Sequence, residues 1–67
     1  MSLAAYIAAA KREFARYGFT SCPLSDNQLR QCRAAGVDAY SVGCDVAAGF
    51  TFREAMAALA RAPGQEA

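Results

Sequence analysis

The chain of 67 residues contains no histidine and no tryptophan, and its seven Lys and Arg nearly balance its six Asp and Glu. Lack of histidine removes the side chain that most often serves as general base and metal ligand. A cysteine nucleophile would have no imidazole to activate it. Cys22, Cys32 and Cys44 are an odd set with no CxxC spacing, a poor basis for a disulfide framework. A tetrahedral zinc site built on them would need an acidic fourth ligand or a second chain. They are read as small, reduced residues, which favours a cytoplasmic compartment. The glycines form no GxGxxG loop for a phosphate.

Long apolar runs are also missing. The opening MSLAAYIAAA falls well short of a membrane span. Its cations, Lys11 and Arg12, follow the apolar stretch, the reverse of a signal peptide. Met1 reads as a native start, so a complete small reading frame is expected. The net charge of +1 is too small for general attraction to nucleic acid. Asp38 and Asp45 share a helical face about 10 Å apart by helical rise, but a convex helix offers them no cleft for acid–base work. The expectation is a chain that is not an enzyme, with no catalytic residue, no metal, no cofactor and no membrane segment.

Alanine dominates what remains. Apolar residues make up 55% of the chain, and much of that share is alanine. Large side chains for a core are therefore few, and a domain of this size buries only about 60% of its unfolded surface. The pattern is helical throughout. Leu3, Ile7, Ala10, Phe14 and Tyr17 line one face of a first helix from Leu3 to Tyr17. Gly18 supplies a left-handed stop, after which Phe19 folds back on Phe14. Pro23 interrupts the loop that follows. Ser25 and Gln28 form a capping box at the head of a second helix, with Leu24 and Leu29 as its hydrophobic staple. Gly36 ends that helix. Asp38 caps a third, which runs to Gly49, and Thr51 with Glu54 caps a fourth. Pro63-Gly64 is expected to stop the fourth helix.

Residues 24–36, 37–49 and 50–62 thus form units of equal length, each opening with a large apolar residue and then a capping residue. The third helix is apolar nearly all round, apart from Tyr40 and the stripe Asp38, Ser41 and Asp45. Such a helix belongs at the centre of a domain. Gly43 in its interior costs about 1 kcal/mol against alanine, which close approach by another helix would offset. The fold class that follows is all-α: a compact bundle of one longer N-terminal helix and three short, tightly turned helices. Residues 1–62 form a single domain and 63–67 a flexible C-terminal tail. The expected core is Leu3, Ile7, Phe14, Leu24, Leu29, Val37, Val42, Val46, Phe50, Met56 and Leu59.

Function is then approached by elimination. A non-catalytic module that binds another protein fits a small, alanine-rich chain without a reactive constellation. An accessory or inhibitory protein of phage or mobile-element type, such as an anti-CRISPR-like inhibitor of a host complex, is one such case, by association of size and composition. The expected contact groups are the basic cluster Lys11, Arg12, Arg16, Arg30 and Arg33 on helices 1 and 2, and the helix 3 group Asp38, Tyr40, Ser41 and Asp45. Separation of basic and acidic helices also suits self-association, including a homodimer. The alternative is a small dimeric helix-turn-helix regulator reading DNA, formed by helix 2, the Gly36–Val37–Asp38 turn and helix 3. It is less favoured, because helix 3 carries no Lys or Arg and presents two aspartates where phosphates would lie.

Overall fold

A computed structural model describes residues 1–65, with side chains described for residues 1–60. Four helices follow one another: α1 (Leu3–Arg16), α2 (Asp26–Ala35), α3 (Ala39–Ala47) and α4 (Phe52–Gln65). No strand occurs among the described residues, and the molecule is a compact all-α bundle with a Cα radius of gyration of 11.7 Å.

The helices start and stop by the chemistry written at their ends. Ser25 Oγ accepts the Gln28 N–H at 3.1 Å, and Gln28 Oε1 accepts the Ser25 N–H at 2.9 Å, closing one capping box. Thr51 and Glu54 close another, at 3.0 and 2.9 Å. Asp38 accepts the Ser41 N–H at 3.1 Å. Three helices end in the same way. The N–H groups of Phe19, Val37 and Phe50 reach back to the carbonyls of Phe14, Cys32 and Asp45 at 3.1, 3.1 and 3.0 Å. Before each donor stands a glycine with positive φ: 96° at Gly18, 71° at Gly36 and 115° at Gly49. This is the Schellman stop, which a side chain would strain.

One expected stop is corrected. The fourth helix runs through Pro63 and Gly64 to Gln65. A proline there removes one donor from the backbone ladder, and the helix continues past that single loss. The rest of the expected tail, residues 66–67, lies outside the described residues.

α1 and α2 pack antiparallel, with Lys11 meeting Asp26 at one end and Arg33 meeting Met1 and Tyr6 at the other. α3 packs against each of the other three helices, and so does α2. The centre is therefore shared between α2 and α3, with α1 and α4 on their flanks.

Ala10, Phe14, Leu24, Leu29, Cys32, Ala39, Val42 and Ala55 are buried. Ile7, Val37, Val46, Met56 and Leu59 pack half-buried around them. Four of the buried residues are alanine or cysteine, because small side chains let these short helices come close. Two expected core residues are corrected. Leu3 is 36% exposed and Phe50 is 56% exposed. α1 buries its later turns through Ala10 and Phe14, so its first turn overhangs. Phe50 holds the staple position taken by Leu24 and Val37 in the earlier units. Its partner is Ala55, too short to reach the ring, where the earlier units have Leu29 and Val42.

Gly43 is buried against α1. A β-carbon placed on it would overlap the Phe14 ring and lie 3.1 Å from Pro23 Cγ. Phe14 is 1% exposed and rests edge-on against Phe19, with ring centroids 5.3 Å apart. The missing side chain at Gly43 is the space the Phe14 ring fills.

Candidate interaction surfaces

The basic residues of α1 and α2 sit side by side but are partly committed. Lys11 Nζ lies 2.8 Å from Asp26 Oδ1 in an exposed ion pair. Hydrogen bonding and charge from Asp26 raise the Lys11 pKa. Arg33 donates to the Met1 carbonyl and places its guanidinium 5.7 Å from the centre of the Tyr6 ring. Arg30 donates to Asn27. Arg12 and Arg16 are exposed one turn apart, and among the described residues neither is held in an ion pair. Tyr17 caps α1 and is 59% exposed, with Glu13 one turn before it on the helix.

The α3 group divides. Asp38 stays exposed, but its Oδ2 accepts both the N–H and the hydroxyl of Ser41, the latter at 2.9 Å. These two residues are occupied in starting the helix. Tyr40 stacks 4.9 Å from Tyr17 and 5.4 Å from Phe14, centroid to centroid. A hydrogen bond with Cys44 raises its phenol pKa, with burial adding to the effect. Tyr40 therefore joins the α1 end rather than the stripe. Asp45 is half-buried at the far end of α3, away from Asp38.

Asp45 belongs instead to a site that pattern reading missed. It lines an open groove of about 320 Å³ with Phe50, Glu54, Ala55 and Ala58, at the corner where α3 gives way to α4. The groove is mainly apolar with two carboxylates at its edge. Its signal in the sequence is the unmatched staple pair Phe50 and Ala55. A second hollow, of about 220 Å³, lies between α1 and the α2–α3 turn, where Met1, Tyr6, Glu13 and Asp38 meet. Burial raises the Tyr6 pKa there, with the Cys32 and Asp38 charges acting the same way. Met1, whose carbonyl accepts from Arg33, lines this hollow.

The three thiols are free. Cys32 is fully buried, and burial pushes its pKa up. Its Sγ lies 3.8 Å from Met56 Sδ, joining α2 to α4. Cys22 and Cys44 are half-buried. Among the described residues no three Cys, Asp or Glu side chains converge as a metal site requires. No helix there is long and apolar enough to cross a membrane.

Comparison with protein-family models, curated proteins and solved structures finds no match to the chain.

Proposed function

We propose that this chain is a non-catalytic module that binds another protein, of the accessory or inhibitory kind that phages and mobile elements carry. The observation behind this reading is the last turns of α1, where Arg12 and Arg16 stand exposed and Tyr17, 59% exposed, stacks on Tyr40 with Glu13 one turn before it. Arginine and tyrosine are the side chains that most often carry interface energy. A tyrosine pre-set by stacking loses little further freedom when it docks. The partner surface that fits is acidic with an apolar recess. Lys11, Arg30 and Arg33 add long-range attraction to such a surface but little contact energy, because each already has an internal partner.

The DNA-reading alternative draws no support from α3. Ser41 is held by Asp38, and Tyr40 is held by Tyr17 and Phe14. Tyr40 and Ser41 are the α3 side chains that could touch a base.

The test is quantitative affinity capture with the purified chain as bait, run beside a variant with Arg12, Arg16, Arg30 and Arg33 changed to Glu. A protein recovered by the parent chain and lost with the variant supports the reading. Equal recovery by both removes the basic face from it. Fluorescence anisotropy on random duplex DNA completes the comparison. Binding that weakens steeply with salt would transfer the assignment to nucleic acid.

A further inference from the structure

We propose that the α3–α4 groove docks an arginine side chain carried on a segment of another protein. Phe50, Ala55 and Ala58 give the groove its apolar lining, and Asp45 and Glu54 bring two carboxylates to it. Its volume of about 320 Å³ is at the lower end for a binding site, enough for one long side chain. Phe50 is 56% exposed, because α4 sets only Ala55 opposite its ring. Asp45 is half-buried, and among the described residues neither it nor Glu54 is held in an ion pair. Oε1 of Glu54 accepts the Thr51 N–H, which leaves Oε2 for an outside donor.

Charge selects the occupant. From Val37 to Ala60 the chain carries three acids, Asp38, Asp45 and Glu54, and one base, Arg53. Arg53 directly precedes Glu54, so it projects about 100° away from it around α4. A cation is therefore what this stretch attracts. Arginine suits the groove better than lysine. Its apolar stem can lie along Ala55 and Ala58, its planar head stacks on an aromatic ring, and its fork meets carboxylate oxygens two at a time. Phe50 supplies the ring, and Asp45 and Glu54 supply the acceptors. The hollow beside α1 also holds two carboxylates, Glu13 and Asp38. Asp38 is already bonded to Ser41, however, and no exposed aromatic of the Phe50 kind lies there. Two copies of this chain meeting groove to groove would set Asp45 and Glu54 against their own counterparts, which like-charge repulsion opposes. The site is distinct from the basic face and does not rest on the function proposed above.

The experiment is a titration of the isotope-labelled full chain with the peptide acetyl-Ala-Arg-Ala-amide, followed by amide NMR shifts under reducing conditions. The salt is about 0.1 M, which screens charges beyond about 10 Å. One side chain makes a weak contact, with Kd on the order of 1 mM, so the peptide is taken to about 10 mM. The expected result is saturable shifts at Asp45, at Phe50 and from Glu54 to Ala58. The same peptide with citrulline, the uncharged counterpart of arginine, should bind at least about fivefold more weakly. D45N/E54Q should weaken the arginine peptide by a similar factor, since glutamine preserves the α4 capping box. F50S should weaken it about threefold, the worth of an exposed cation–π contact. The dispersion of each variant's own spectrum confirms its fold. Absence of shifts at the groove overturns the proposal, as do saturable shifts confined to the hollow beside α1. So does equal binding of the citrulline peptide, or binding that D45N/E54Q or F50S leaves unchanged. Groove shifts that arise on concentrating the chain alone would give the groove to a second copy and overturn it as well. The variant with Arg12, Arg16, Arg30 and Arg33 changed to Glu should bind the peptide at least as tightly as the parent chain. Loss of a foreign protein captured by the basic face and loss of arginine binding in the groove are therefore separate failures.

Discussion

Adding one methyl group at Gly43 tests the packing at the centre of this fold. In isolation the change favours the folded state, since alanine is better than glycine in a helix interior by about 1 kcal/mol. The structure reverses that sign. The new β-carbon falls on the Phe14 ring, and Pro23 Cγ stands 3.1 Å away on another side. The ring cannot swing clear, because Phe19 and Tyr40 hold it at centroid distances of 5.3 and 5.4 Å and it is 1% exposed. Overpacking of this kind costs about 1–3 kcal/mol, and here it must also cancel the gain in propensity. G43A is therefore expected to lower stability by up to about 2 kcal/mol. In a domain this small each kcal/mol moves Tm by about 4–8 °C. Thermal and urea unfolding followed at 222 nm measure it directly. The control is the same substitution in an F14L background, where the ring is gone. F14L destabilises by itself, but G43A added to it should be neutral or stabilising. The resulting coupling between the two positions is about 1–3 kcal/mol, as for residues in contact. A higher Tm for G43A in the parent chain, or a coupling of zero, would refute the claim that glycine is there to admit the ring.

Three further outcomes are expected. S25A and T51A should each destabilise by about 1 kcal/mol, the usual cost of losing an N-cap, while F50S should change monomer stability by less than about 0.5 kcal/mol because the ring is exposed; parallel urea titrations compare all three. A thiol-specific chromogenic reagent should label Cys22 and Cys44 in the native protein and reach Cys32 only on unfolding, because Cys32 alone is fully buried; prompt reaction of three thiols per chain would contradict the packing of α2 on α4. Stability should decline as pH rises above about 8.5, the ordinary thiol range. Burial raises the Cys32 pKa in the folded state, with the Asp38 charge adding to it. The unfolded thiol therefore ionises first, and the contribution is complete below its pKa and lost as pH climbs through the folded value. C32A should flatten that slope between about pH 8.5 and 10, below the ordinary tyrosine range, and a slope unchanged in C32A would assign the decline elsewhere.

Helix ends were legible in the chain because their signals are local. A capping box needs Ser25 and Gln28 three residues apart, and a Schellman stop needs Gly36 followed by Val37. Neither depends on what packs nearby, so the order and type of the helices follow from adjacent residues alone. The same holds for the reading of Gly43: a glycine inside an apolar helix costs stability unless something occupies the space it leaves. That the occupant is Phe14 was beyond reach, since the two residues are brought together only by the path of the loop through Pro23.

The candidate surfaces show the same division. Their charges could be counted along the chain, but whether a charge is available depends on its neighbours in space. Lys11 is taken by Asp26 across two helices, and Arg33 is taken by the chain start. Tyr17 and Phe50 both fit an inward-facing periodicity, yet both lie outside, because burial depends on a facing partner and not on the periodicity alone. Local sequence thus decided where each helix begins and where the first three end, while the Pro63-Gly64 stop did not hold. Tertiary structure decided which side chains are left to meet another molecule, because exposure belongs to the assembled surface and to no single segment of it.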